Sequence, residues 1–306
     1  MKLATSIACL LLPLTVSLTA AQQNDDEPDL TVTQPLTQVE KTSAARLTRL
    51  PSVRLWWNEH NRIVAASLKG ADANDRAVAL CGRLPGLRAL SLAALPQNQL
   101  TNNGLAPLAS HTELRALSIA GDRLGDEALL HVQSIPTLET VVLQGNFTDL
   151  ALELVAVLPE LSYLDLTQCR VTDTGVAHIA GVPNLETLIL NGTQVSNDCL
   201  VSVAELKRLT ELYLGDTALD DGAIDQLATM EQLTTLYLQR TRITQEGIRR
   251  LLTELPIPCR VIHDGGIDYG ERDTNTTIAR ALPRSPAAPL PQSQPHVPNT
   301  QWRAAR

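Results

Sequence analysis

From Leu161 onward the chain repeats itself every 24 residues. Leu161, Leu164 and Leu166 are followed by Cys169 and Val171. The same frame returns at Leu185-Leu188-Leu190-Thr193-Val195, at Leu209-Leu212-Leu214-Thr217-Leu219 and at Leu233-Leu236-Leu238-Thr241-Ile243. Upstream copies are Leu138-Val141-Leu143-Asn146, Leu114-Leu117-Ile119-Asp122 and Leu87-Leu90-Leu92. A weaker first copy begins at Ile63, with Ala66 and Leu68, and a truncated last copy begins at Ile257, with Arg260 and Ile262. A unit this short cannot bury its own apolar edge, so the copies must stack into a solenoid.

The columns of the frame assign the rest of each unit. One column holds Asn74, Thr101, Gly125, Thr148, Thr172, Ser196, Asp220 and Thr244, nearly all of them side chains that accept from the first free N–H groups of a helix. Three residues on come Ala77, Gly104, Ala128, Ala151, Gly175, Cys199, Ala223 and Gly247, all small enough for coils to stack closely. Two apolar columns follow. Val78, Leu105, Leu129, Leu152, Val176, Leu200, Ile224 and Ile248 lead to Cys81, Leu108, Val132, Val155, Ile179, Val203, Leu227 and Leu251, which makes one buried helix stripe. Phe147 replaces an aliphatic residue in a copy one residue short, and the copy after Leu92 carries three extra residues within Leu95–Asn98. Trp56 and Trp57 suit a lid at the N-terminal end, and Pro256–Val261 suits a closing strand.

The pattern L-x-x-L-x-L-x-x-N/C-x-L over residues 63–263 resembles the leucine-rich repeat family. Its continuation Val171-Thr172-Asp173-Thr174-Gly175-Val176 is similar to a bacterial subtype with a T-D-x-G-L element, and to the cysteine-containing repeats of F-box proteins. The resemblance implies an α/β solenoid: a curved horseshoe, short parallel strands on its concave face and helices on its convex face. It implies protein recognition as the commonest role. An F-box adaptor role is disfavoured, because no F-box segment is found.

Both ends differ from the repeats. Met1-Lys2, an apolar run from Leu3 to Leu18 and Thr19-Ala20-Ala21 form a secretory signal pattern, with cleavage expected after Ala21. The alternative, an uncleaved anchor, is opposed by Pro13 and by the Thr and Ser residues of the run. Residues 22–50, with Asp25, Asp26, Glu27 and Asp29, read as a polar linker, 51–268 as the repeat domain with its N-terminal cap, and 269–306 as a disordered, Pro-rich, basic tail. These segments point to a secreted or periplasmic protein, not one integral to a membrane. The 306 residues carry a net charge of −8, which opposes general nucleic-acid binding. Apolar residues make up 44% and aromatics 3%, so the core must be aliphatic.

No Gly-rich phosphate loop, G-x-S-x-G or H-E-x-x-H is found. Asp220-Asp221 and the run Asp72, Asn74, Asp75 fall where helix capping explains them better than calcium does. Cys81, Cys169 and Cys199 occupy columns of small buried residues, so the thiols, Cys259 included, are expected to be free. Cys259 and His263 are too far apart along a strand to act as nucleophile and base. His111 interrupts an apolar column and is expected at a locally exposed helix end. No catalytic residue, cofactor or metal ligand is assigned.

The concave face remains. Alternation along the strands turns Ser67, Ser91, Ser118, Val142, Asp165, Ile189, Tyr213, Tyr237 and Val261 outward in one column. It turns Ala65, Ala89, Ala116, Thr140, Tyr163, Thr187, Glu211, Thr235 and Cys259 outward beside it. The first coils then offer a smooth small-residue floor. Tyr163, Asp165, Ile189, Glu211, Tyr213, Asp216 and Tyr237 form the candidate protein-binding patch. The expected molecule is a monomeric, non-catalytic, exported scaffold with a protein partner. The alternative is a carbohydrate or cell-wall binder that stacks sugars on the same tyrosines, and a more distant one is an enzyme or adaptor subunit.

Overall fold

The computed structural model describes residues 36–94, 99–255 and 259–270. The signal pattern, Leu95–Asn98 and nearly all of the Pro-rich tail lie outside the described residues. Among the described residues eleven strands form one sheet in chain order: β1 (Val53–Trp57), β2 (Ile63–Lys69), β3 (Ala89–Ala93), β4 (Ala116–Gly125), β5 (Thr140–Asn146), β6 (Tyr163–Asp165), β7 (Thr187–Ile189), β8 (Glu211–Tyr213), β9 (Thr235–Tyr237), β10 (Arg260–His263) and β11 (Gly266–Tyr269). Strands β2 to β10 run parallel. Strands β1 and β11 close the two ends antiparallel. Parallel neighbours need a crossover, and helical turns supply it: α1 (Gln38–Leu47) leads in, then α2 (Asp75–Cys81), a 3₁₀ turn at Asn102–Leu108, α3 (Leu129–Val132), α4 (Asp149–Val155), α5 (Asp173–Ile179), α6 (Cys199–Val203), α7 (Ile224–Leu227) and α8 (Gln245–Glu254).

The leucine frame fills the space between sheet and helices. Leu164, Leu188, Leu212 and Leu236 align strand to strand, and each is fully buried. Both helix columns lie in the same cluster, from Val78 and Cys81 to Ile248 and Leu251, and Phe147 is fully buried among them.

The capping column works differently from its sequence reading. Asn74, Thr101, Asp220 and Thr244 accept from N–H groups of their own helical turns. Thr148 and Thr172 accept none. Their hydroxyls donate to an aspartate of the preceding coil. Asp126 accepts from Thr148 N at 2.8 Å and from its Oγ1. Asp149 accepts from Thr172 N and Oγ1, both at 2.7 Å, and Asp173 accepts from Ser196 N and Oγ, both at 2.7 Å. Asp75 holds Thr101 and Asp221 holds Thr244 in the same way. A charge-assisted pair of bonds therefore joins coil to coil, and Asp75 and Asp221 are engaged in it. The small-residue column is the counterpart. A Cβ added to Gly104, Gly175 or Gly247 would overlap Asp75, Asp149 or Asp221.

Four sequence expectations need correction. Residues 22–50 are not linker throughout, because α1 carries a capping box between Thr37 and Glu40 and buries Ser43 and Leu47. The Thr37-x-x-Glu40 spacing is the sequence signal for this helix start. The small-residue floor is not open, because Trp56 packs over Ala65, Ala89 and Ala116, and Ser67, Ser91 and Ser118 are buried with them. His111 is 5% exposed, its ring buried beside the Cys81 backbone without a well-formed hydrogen bond at either nitrogen. The last copy is displaced by one residue: Arg260 pairs with Thr235, Val261 with Leu236 and Ile262 with Tyr237. A slip of one residue exchanges the faces of a strand, so Cys259, Val261 and His263 point into the core and Arg260 and Ile262 point out.

Candidate functional site

On the sheet face turned away from the helices, one row crosses five neighbouring strands. Ile189 pairs with Tyr213, Tyr213 with Tyr237, Tyr237 with Ile262 and Ile262 with Ile267. Ile189, Tyr213, Tyr237 and Ile262 are half-buried, and Ile267 is exposed. The parallel row beside it runs Tyr163, Thr187, Glu211, Thr235, Arg260 and Tyr269.

The tyrosines are held at fixed positions. The rings of Tyr213 and Tyr237 lie 5.9 Å apart between centroids, tilted by 30°. That separation is favourable for an aromatic pair. The Tyr237 ring crosses Gly215, where an added Cβ would meet Cε1 at 2.5 Å and Cδ1 at 2.9 Å. Glycine at 215 therefore admits the ring, and Gly215 N is itself held by Asn191 Oδ1 at 2.7 Å. The Tyr213 hydroxyl donates to Glu211 Oε2 at 3.0 Å, and the Tyr237 hydroxyl donates to Gln239 Oε1. Burial pushes the Tyr213 phenol up to about 12, the Glu211 carboxylate adds to this, and Arg260 opposes it.

Not every predicted residue joins the patch. Ile189, Glu211, Tyr213 and Tyr237 are contiguous on β7–β9. Asp216 sits in the turn after β8, exposed and ion-paired to Arg240. Tyr163 lies two strands from Glu211 along its row. Asp165 is only 4% exposed. Its carboxylate accepts from Thr167 N at 2.8 Å and from the Thr167 hydroxyl. Burial raises its pKa above the ordinary aspartate value, against these two bonds. Sequence reasoning missed Gly215, Gln239, Arg260 and Ile262. For the last two, the sequence signal is the charge of Arg260, which opposes an inward position and fits the observed outward one.

Among the described residues the four cysteines, Cys81, Cys169, Cys199 and Cys259, are buried and unbridged. Burial pushes Cys81 and Cys169 up to about 12 and Cys259 to about 11, and it raises Cys199 further, so none is activated.

Residues 158–180 match a family model described as a leucine-rich repeat. In the structure these residues carry Leu158, Leu161, Leu164, Leu166, Cys169, Val171, Val176 and Ile179 into the common core. The fold is a leucine-rich repeat solenoid. Among solved structures it is similar to an internalin C2 from Listeria monocytogenes, with 20% identity over 76% of this chain and 99% of that chain and a TM-score of 0.49. It is also similar to an internalin F from the same organism, with 22% identity over 57% of this chain, 48% of that chain and a TM-score of 0.43. No match to a curated protein is found. Among the described residues, no helix of the solenoid is long and apolar enough to cross a membrane.

Proposed function

We propose that this leucine-rich repeat solenoid is a non-catalytic, exported scaffold that binds a protein partner on the open face of its C-terminal coils. The observation that carries the reading is the row Ile189–Tyr213–Tyr237–Ile262, four half-buried apolar or aromatic side chains in lateral register. Glu211, Arg260 and the Asp216–Arg240 pair flank the row, giving the apolar centre and charged rim common to recognition surfaces. Its tyrosines are stacked and hydrogen-bonded before any partner arrives, so little side-chain entropy remains to be lost on binding. Export rests on the signal pattern at Leu3–Ala21. N-terminal sequencing of mature protein beginning near Gln22 would support it, and an intact Met1 chain in the cytoplasm would refute it.

Carbohydrate binding is the second reading, favoured by the Tyr213–Glu211 and Tyr237–Gln239 pairs, each a ring beside a polar group. The test is a pull-down from envelope extract alongside a glycan array. The Tyr213→Ala/Tyr237→Ala variant should weaken protein binding at least tenfold, since hot-spot tyrosines are worth about 2 kcal/mol or more each. Unchanged binding of an isolated protein partner removes the open-face reading. Retention on glycans alone selects the second.

A further inference from the structure

Among the described residues the last strand of the sheet is β11, all four of whose residues are exposed. Gly270 N donates to Cys259 O at 3.0 Å, which fixes the phase of the β10–β11 ladder. In an antiparallel ladder bonded and non-bonded pairs alternate, so Val261–Asp268 is a bonded pair and Arg260–Tyr269 and Ile262–Ile267 are not. The backbone N–H and C=O groups of Ile267 and Tyr269 therefore point to the outer edge of the sheet. Among the described residues nothing pairs with them. On the open face of the sheet their side chains, 49% and 51% exposed, form an apolar pair. On the opposite face Asp268 stands between them. One of its oxygens is 3.0 Å from His263 Nε2, and its side chain is 56% exposed.

We propose that β11 is a strand-addition site for an extended peptide of apolar–basic–apolar pattern. Pairing of the peptide backbone with Ile267 and Tyr269 sets two of its side chains against theirs on the open face. The residue between these two then lies opposite Asp268, where a lysine or arginine pairs and a carboxylate repels. The same charge disfavours a second copy of this chain. Two β11 edges joined antiparallel through Ile267 and Tyr269 would set Asp268 against its own copy. Charged side chains on an edge strand defend it against self-pairing, and the negative sign here leaves the edge available to a basic strand.

The test uses the full chain and blocked seven-residue peptides with valine–lysine–valine or valine–glutamate–valine at their centre. Binding is followed by calorimetry and by hydrogen exchange at the Ile267 and Tyr269 amides. The lysine peptide should bind at least tenfold more tightly than the glutamate peptide and should protect both amides. Asp268→Lys should invert the preference. Tyr269→Pro should abolish binding and leave the melting temperature nearly unchanged, because this N–H makes no bond to β10. Tyr213→Ala/Tyr237→Ala, the test of the open-face reading, should leave peptide binding intact, so the two proposals can fail separately. Equal affinity for the two peptides, no binding of the lysine peptide, or binding that survives Tyr269→Pro overturns the proposal. So does dimerisation of the free chain that Tyr269→Pro abolishes, which would assign the edge to a second copy.

Discussion

The backbone N–H of Arg240 donates to Asp264 Oδ1 at 2.9 Å. At the equivalent place in earlier coils the acceptor is the main chain of the next coil: Gln168 N to Asn191 O at 2.8 Å, Gly192 N to Gly215 O at 2.8 Å and Asp216 N to Gln239 O at 2.9 Å. Gln168, Gly192, Asp216 and Arg240 all hold left-handed backbone, with φ of 62°, 67°, 56° and 57°. That conformation turns each N–H toward the following coil. For Arg240 no main-chain carbonyl takes this place among the described residues, and the carboxylate of Asp264 substitutes for it. Asp264→Ala should therefore loosen the terminal coil by about 0.5–1 kcal/mol, the net worth of one exposed hydrogen bond whose donor water can then satisfy. Faster hydrogen exchange at the Arg240 amide, with Gln168 unaffected, is the expected readout.

The inter-coil aspartates predict a contrast between two glycines. Gly175→Ala would drive a methyl group into Asp149 and break its grip on Thr172. A loss of about 2 kcal/mol is expected from the broken charged hydrogen bonds. Gly181 has nothing within 4 Å of an added Cβ. Gly181→Ala should be neutral or slightly stabilising. Urea denaturation of both variants checks the pair, and equal losses would contradict the ladder.

His111 makes stability depend on acid. Burial lowers its pKa below the ordinary 6.5, against smaller opposing effects of the Cys81 backbone and Glu113. The unfolded chain takes up this proton first, so the contribution is intact above pH 6.5 and is lost as pH falls from there through the folded value. His111→Leu restores the column of Leu84, Ile135 and Leu158. It should stabilise the chain by about 1 kcal/mol at neutral pH and more in acid, as a buried, poorly hydrogen-bonded imidazole is replaced by an apolar side chain. Melting temperatures between pH 7 and pH 5 test this.

Asp165 acts in the opposite sense. Burial raises its folded pKa above the ordinary 3.8, so its contribution is greatest below pH 3.8 and is lost as pH rises through the folded value. Asp165→Asn keeps an oxygen for Thr167 and removes the charge. A gain on the order of 1 kcal/mol at pH 7 is expected, vanishing near pH 3. A loss of stability at pH 7 would mean that the carboxylate is satisfied by more than Thr167.

Much of the molecule follows from the sequence because its period is so regular. Leu161, Leu164 and Leu166 recur at fixed spacing, and each recurrence must face the same core, so strand positions, helix stripe and chain order are determined without long-range information. Tyr213 and Tyr237 could be placed side by side for the same reason. Tertiary structure decided what happens where the period fails or neighbours intervene. One residue of displacement before β10 turned Arg260 and Ile262 outward and Val261 inward, a choice set by pairing with β9. Trp56 covered the alanine floor only because β1 folds back antiparallel on β2. Whether Thr172 caps its own helix or bonds Asp149 depends on the distance between coils, which packing sets and composition does not. Periodicity fixes contacts between equivalent residues, whereas contacts between non-equivalent residues exist only once the coils have stacked.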